Sequence, residues 1–120
     1  MVGAFYSCEH LNSVATDAPD LSRVKSLAQM FAYCKKFNGK IGHWNTSHIT
    51  STASMFSGAK SFNQPIGEWN TSNVTNMMSM FSGAESFNQP IGKWNTSNVT
   101  YMGWMFAKAK SFNQPILKTW

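Results

Sequence analysis

Ser61–Glu85 reads SFNQPIGEWNTSNVTNMMSMFSGAE and Ser86–Lys110 reads SFNQPIGKWNTSNVTYMGWMFAKAK; 18 of the 25 aligned positions are identical, with no gap. Lys36–Lys60, KFNGKIGHWNTSHITSTASMFSGAK, matches the first of these at 15 of 25. A weaker copy runs from Leu11 to Lys35, where Asp20-Leu21-Ser22-Arg23-Val24 stands for the later Asn-Thr-Ser-Asn-Val, and fragments occupy Ala4–His10 and Ser111–Trp120. A fixed period of this size means one small unit that cannot bury its apolar face alone and stacks on copies of itself. The chain therefore reads as one repeat domain over residues 1–120. Residues 1–35 are divergent N-terminal repeats acting as a cap, 36–60, 61–85 and 86–110 are full repeats, and 111–120 is a partial one.

Superposing the copies produces columns of like residues. One holds Leu11, Phe37, Phe62, Phe87 and Phe112; others hold Ile41, Ile66, Ile91 and Ile116, or Trp44, Trp69 and Trp94, or Val24, Ile49, Val74 and Val99. Met-Phe pairs recur at Met30, Met55, Met80 and Met105, and a small residue follows at Cys34, Ala59, Ala84 and Ala109. Stacked about 4.8 Å apart, such coils place like against like and build a continuous core. Within a coil, Val74, Met77, Phe81 and Ala84 recur at helical intervals, which predicts a short helix over Asn76–Ala84 capped by Ser72, Asn73 and Thr75. Phe62–Ile66 reads as a short extended piece limited by Pro65, with turns at Gly67 and Asn70-Thr71-Ser72. Stacked Asn38, Asn63, Asn88 and Asn113 are expected to satisfy backbone groups of the adjacent coil.

These residues carry a family resemblance. Ala4-Phe5-Tyr6-Ser7-Cys8-Glu9-His10-Leu11-Asn12-Ser13-Val14 resembles the unit of BspA-like leucine-rich repeats. The stretch from Met80-Phe81-Ser82-Gly83-Ala84 through Phe87 to Thr100 resembles the related bacterial surface-protein repeat, about 26 residues per unit and within the leucine-rich-repeat range. The resemblance implies an α/β fold: a right-handed leucine-rich-repeat-like solenoid of four to five 25-residue coils, each a short strand plus a short helix. It also implies a secreted or surface-anchored bacterial protein with an adhesion-type role. The opening MVGAFYSCEH shows no basic region followed by a long apolar run, so the expectation is either a cytoplasmic protein or part of a longer exported chain.

Composition narrows the chemistry. Charged residues are only 12%, so polarity comes from Asn, Ser, Thr and Gln, and the net charge of +5 reflects five acids against ten bases. Glu9, Asp17, Asp20, Glu68 and Glu85 form no recurring pair, and Glu68 is replaced by His43 and Lys93 in neighbouring copies, as expected of a solvated position. His10, His43 and His48 fit no metal-ligand spacing with Cys8 or Cys34, so no catalytic residue, metal or cofactor is assigned. Cys8 and Cys34 occupy equivalent positions in adjacent coils; they read either as small buried thiols or as a disulfide whose parallel Cβ vectors disfavour the torsion.

Two kinds of candidate binding residue remain. Asn70, Thr71, Asn95 and Thr96 repeat without change and would present a periodic hydrogen-bonding row to a glycan. Tyr101 and Trp104 fall where neighbouring copies carry Ser or Asn and suit a protein partner, since aromatics dominate interfaces. Phe112, Ile116 and Trp120 would face an open stack, an end either covered by a second protomer in a homodimer or marking a truncated continuation. The reading is a non-enzymatic module recognising a protein or glycan. The alternatives are a nucleic-acid binder using Arg23, Lys25, Lys35, Lys36 and Lys40, a self-associating scaffold, or an ice-surface binder using the Thr/Ser/Asn ladder. No run of 18 apolar residues would span a membrane.

Overall fold

The computed structural model describes residues 2–8 and 17–116. His10, Leu11 and Trp120, named above as candidates, lie outside them. The copies stack in parallel, with one bridged column running Ser26–Ser51–Asn76–Tyr101 at a 25-residue offset. The molecule measures 36 × 34 × 20 Å, and the short dimension matches about five layers at 4.8 Å.

The coils are not built as expected. The described residues contain no helix, and only the four bridge residues count as strand, so the α/β coil of strand plus helix is wrong. Phe62–Ile66 is no strand, and Asn76–Ala84 is a ribbon of overlapping turns. In that ribbon Met80, Ser82 and Ala84 donate their N–H groups to the carbonyls of Met77, Ser79 and Phe81, three residues back. The intervening N–H groups leave the coil: Met77, Ser79, Phe81 and Gly83 donate to Tyr101, Gly103, Met105 and Ala107 of the next. A helix would return every N–H to its own strand of chain; here half are spent on stacking.

Local conformation enforces this. Ser79 (φ 58°) and Gly83 (φ 72°) adopt the left-handed conformation at the third position of the first and last turns, the requirement of a type II turn. The same pair recurs as Gln29 and Tyr33, Ser54 and Gly58, Trp104 and Lys108, and Gly3 and Ser7. A left-handed residue at every fourth position ends a right-handed helix before it closes. The apolar spacing misleads because overlapping turns bury the same positions as a helix: Met77, Met80, Phe81 and Ala84 are all fully buried.

The core is aromatic and methionine-rich; among the described residues Leu21 and Leu27 are the leucines in it, so the leucine-rich-repeat assignment is not supported either. Two phenylalanine columns run through the stack. Phe5, Phe31, Phe56, Phe81 and Phe106 follow one another with ring centroids 5.6–5.9 Å apart, and Phe37, Phe62, Phe87 and Phe112 at 5.8–6.0 Å. The columns meet face to face within each coil, as in Phe81 on Phe87 at 4.2 Å. These parallel offset geometries are favourable for aromatic rings. Tight spacing also fixes a glycine: a Cβ on Gly67 would lie 2.6 Å from the carbonyl oxygen of Pro90 in the next coil.

Polar residues complete the ladders. The amide oxygens of Asn38, Asn63 and Asn88 accept the N–H of Asn63, Asn88 and Asn113 at 2.8–2.9 Å, and Gln64, Gln89 and Gln114 reach the same asparagines' carbonyls at 3.1 Å. Ser72, Asn73 and Thr75 cap no helix. Ser72 donates its N–H to Asn70, while Asn73 and Thr75 donate side-chain hydrogens to the carbonyls of Ser47 and Thr50.

Candidate functional site

The repeated polar row is structural. Thr71 and Thr96 are buried, and the hydroxyl of Thr71 donates to the carbonyl of Asn95 at 3.0 Å. Asn70 and Asn95 are exposed, but each turns its amide oxygen inward to accept the N–H and hydroxyl of Ser72 or Ser97 at 2.6–3.0 Å. This closes the turn between the Trp and Val columns. The periodic hydrogen-bonding face expected of these four residues is thus largely occupied by the fold itself.

The aromatic pair stands in contrast. Tyr101 is 56% exposed and Trp104 76% exposed, each beginning or following the bridged column of the last ribbon. Trp104 has φ 62°. A bulky side chain in the left-handed region costs about 1–2 kcal/mol, and the stacked copies place Ser79, Ser54 and Gln29 there. The indole ring makes no ring contact among the described residues. Between Tyr101 and Trp104, Gly103 leaves open space where a Cβ would point.

Met78 joins this pair, and sequence comparison missed it. It holds the position in the adjacent coil that is in register with Gly103, since Met77 and Ser79 on either side donate to Tyr101 and Gly103 at 2.8 and 2.9 Å. Its side chain is exposed. The signal was available in its column, Ala28, Ala53, Met78 and Gly103, where a flexible apolar chain replaces alanine. Tyr101 and Trp104 on the last ribbon and Met78 on the ribbon before it are large, solvent-facing side chains, and Lys108 is exposed further along the last ribbon.

A second aromatic pair marks the opposite end of the same face. Tyr6 and Tyr33 are exposed and meet edge to face at 5.6 Å, and the Tyr33 ring covers Gly58, where a Cβ would come within 2.6 Å of it. Between the pairs the ribbon face carries Ser54, Ser57, Gly58, Ser79, Ser82 and Gly83, all small.

The remaining candidates are dispersed. Arg23, Lys25, Lys35, Lys36 and Lys40 are exposed on the second and third coils. Lys93 pairs with Glu68 at 3.2 Å and Lys110 with Glu85 at 3.8 Å, exposed pairs that add little stability. His43 and His48 are solvent-facing, and no cluster of three or more metal-ligating side chains occurs among the described residues. Cys8 and Cys34 are unpaired thiols rather than a disulfide. Cys34 is buried, donates its S–H to the carbonyl of Phe5 at 2.8 Å, and burial pushes its pKa up to about 11. At the C-terminal end, Phe112 is half-buried on Phe106 and Phe87, and Ile116 is exposed.

A family model described as Mycoplasma protein of unknown function, DUF285, matches residues 1–120. The chain belongs to that DUF285 family. No curated protein and no solved structure matches it. Among the described residues of this DUF285 chain, no helix is long and apolar enough to cross a membrane.

Proposed function

We propose that this DUF285 chain is a non-enzymatic recognition module that binds a protein partner through Tyr101, Trp104 and Met78. The observation that carries the reading is Trp104: an indole held in solvent, in a backbone conformation that disfavours it, at a position where the other copies place smaller or more polar residues. Rigid aromatics surrounded by small residues are the composition of binding hot spots. Placement on an exported or surface protein is supported by the resemblance of the repeat to bacterial surface-protein units. A glycan ligand is less favoured, because the repeated Asn and Thr residues are engaged in the stack.

The test is a binding screen against extracellular-matrix proteins, polysaccharides and DNA at low and high salt, with a double variant, Tyr101→Asn and Trp104→Ser. Both replacements restore residues that the preceding coil already carries, so folding is preserved. Salt-resistant binding to a protein, lost in the variant, is the expected result. Binding only to polyanions, abolished by salt and indifferent to the substitutions, would assign the effect to the basic residues instead.

A further inference from the structure

The full repeats contain five Asn-X-Ser/Thr triplets: Asn45-Thr46-Ser47, Asn70-Thr71-Ser72, Asn95-Thr96-Ser97, Asn73-Val74-Thr75 and Asn98-Val99-Thr100. Each satisfies the motif for transfer of a glycan to an asparagine amide, a modification that places a bulky, hydrated polymer on a surface turn. In sequence the five are alike. The stack divides them into two kinds.

The first kind keeps its nitrogen free. Asn45, Asn70 and Asn95 are exposed, and each amide oxygen accepts the N–H of the residue two further on, at 3.1, 3.0 and 3.0 Å. At Asn70 and Asn95 the hydroxyl of the same triplet, on Ser72 and Ser97, donates to that oxygen as well, at 2.6 and 2.7 Å. An amide atom that accepts an N–H is the oxygen, so the other arm of each side chain is the NH2 group. Among the described residues the Nδ2 atoms of Asn45, Asn70 and Asn95 have no hydrogen-bond partner. The second kind is engaged: Nδ2 of Asn73 donates to the carbonyl of Ser47 in the preceding coil at 2.7 Å, and Nδ2 of Asn98 to that of Ser72 at 2.7 Å.

This difference bears on reactivity. An amide nitrogen becomes nucleophilic when its NH2 group turns out of conjugation with the carbonyl. At Asn70 the oxygen is anchored in the turn and the NH2 group rotates without breaking a bond. At Asn73 the same rotation gives up a bond between coils.

We infer that Asn45, Asn70 and Asn95 are acceptor sites for asparagine-linked glycosylation and that Asn73 and Asn98 are not. The donor is a polyprenyl-diphosphate-linked oligosaccharide, handled by an oligosaccharyl transferase. The bond from Nδ2 to the anomeric carbon of the sugar forms as the bond from that carbon to the diphosphate oxygen breaks. Polyprenyl diphosphate leaves with the electron pair, and one Nδ2 proton passes to a base of the transferase. The three acceptors belong to successive coils, so the glycans line one row, and a chain with only 12% charged residues gains hydrated surface there. Tyr101 and Trp104 take no part, so the acceptor row and the partner-binding proposal stand or fall separately.

The experiment offers the purified, folded full chain, and beside it a tryptic digest of the same chain, to a single-subunit oligosaccharyl transferase with a polyprenyl-diphosphate-linked oligosaccharide. Peptide N-glycosidase in heavy-oxygen water then converts each modified asparagine to labelled aspartate, which mass spectrometry maps. In the digest, where no stack exists, both kinds of triplet are expected to be modified. In the folded chain, occupancy at Asn73 and Asn98 is expected to lie about fivefold below that at Asn45, Asn70 and Asn95, the effect of one hydrogen bond. Ser72→Ala should remove the glycan from Asn70, and Ser72→Thr should keep it. A folded chain left unmodified where its digest is modified, or one modified at Asn73 and Asn98 as readily as at Asn70 and Asn95, would overturn the inference.

Discussion

The indole Nε1–H of Trp69 donates to the carbonyl oxygen of Ile41 in the preceding coil at 3.0 Å, and Trp94 repeats the bond to Ile66 at the same distance. Both indoles are buried, and their rings lie parallel with centroids 6.4 Å apart. The column thus joins coils twice, by ring contact and by a hydrogen bond that satisfies a backbone carbonyl at the isoleucine turn. Trp69→Phe retains most of the packing and leaves the Ile41 carbonyl with the N–H of Trp44 alone. The expected loss is about 1 kcal/mol, read as a lower denaturant midpoint at unchanged slope.

Glycine positions separate close approach from mere permissiveness. Gly67→Ala drives a methyl into the Pro90 carbonyl, which is backbone and cannot swing aside, and should lower the melting temperature by several degrees. Gly103→Ala meets nothing within 4 Å at a φ that does not require glycine, and should be neutral or stabilise by about 0.5 kcal/mol. Thermal unfolding of the two variants side by side checks the contrast. Equal effects would mean the coils are not spaced as described.

Trp104 allows stability and binding to be read apart. Trp104→Gly removes a side chain from a left-handed backbone position, while glycine gains freedom in the unfolded chain. The expected net effect is unchanged stability or a gain of up to about 1 kcal/mol, together with loss of partner binding. A clear drop in stability would instead make the indole a packing residue.

The two thiols should differ in reactivity and in pH response. Cys8 is exposed and should react with a thiol reagent in the native protein, whereas Cys34 reacts only on unfolding, giving one fast thiol and one slow. Because burial raises the folded pKa of Cys34 to about 11, from an ordinary value of 9.0, the unfolded state loses its proton first. The contribution of the neutral thiol is therefore complete below pH 9 and declines as pH rises toward 11. Cys34→Ala, the residue of the later coils, should flatten the loss of stability across that range; an unchanged slope would refute the assignment.

Much of the stacking order is legible in the sequence, because residues that recur at the period meet their own copies: Phe62 lies on Phe37 and Phe87, and Asn63 between Asn38 and Asn88. Local structure is not, since Val74, Met77, Phe81 and Ala84 are spaced as a helix face and also as the inner edge of overlapping turns. The distinguishing residues are Ser79 and Gly83, poor helix formers placed four apart where the backbone turns left-handed. The candidate site divides the same way. Tyr101 and Trp104 stand out by breaking the repeat and are exposed, whereas Thr71 and Thr96, singled out as part of an unchanging polar row, are buried, the Thr71 hydroxyl bonding a carbonyl of the next coil. Met78 breaks its column of small residues in the sequence, whereas the ring contact of Tyr33 with Tyr6 and its cover over Gly58 emerge only from the stacking.

The uniform 25-residue offset has a genetic corollary. Excising Ser61–Glu85 would join Lys60 to Ser86, a junction equivalent to Lys60–Ser61 and Glu85–Ser86, and every ladder partner would find a counterpart in the coil that moves up. Duplicating the same segment adds one layer of about 4.8 Å without creating a new kind of contact. The architecture accepts such changes only in whole multiples of the 25-residue unit. Length is therefore quantised in this molecule, while Tyr101 and Trp104 keep their place in the layer that follows the excised or duplicated one.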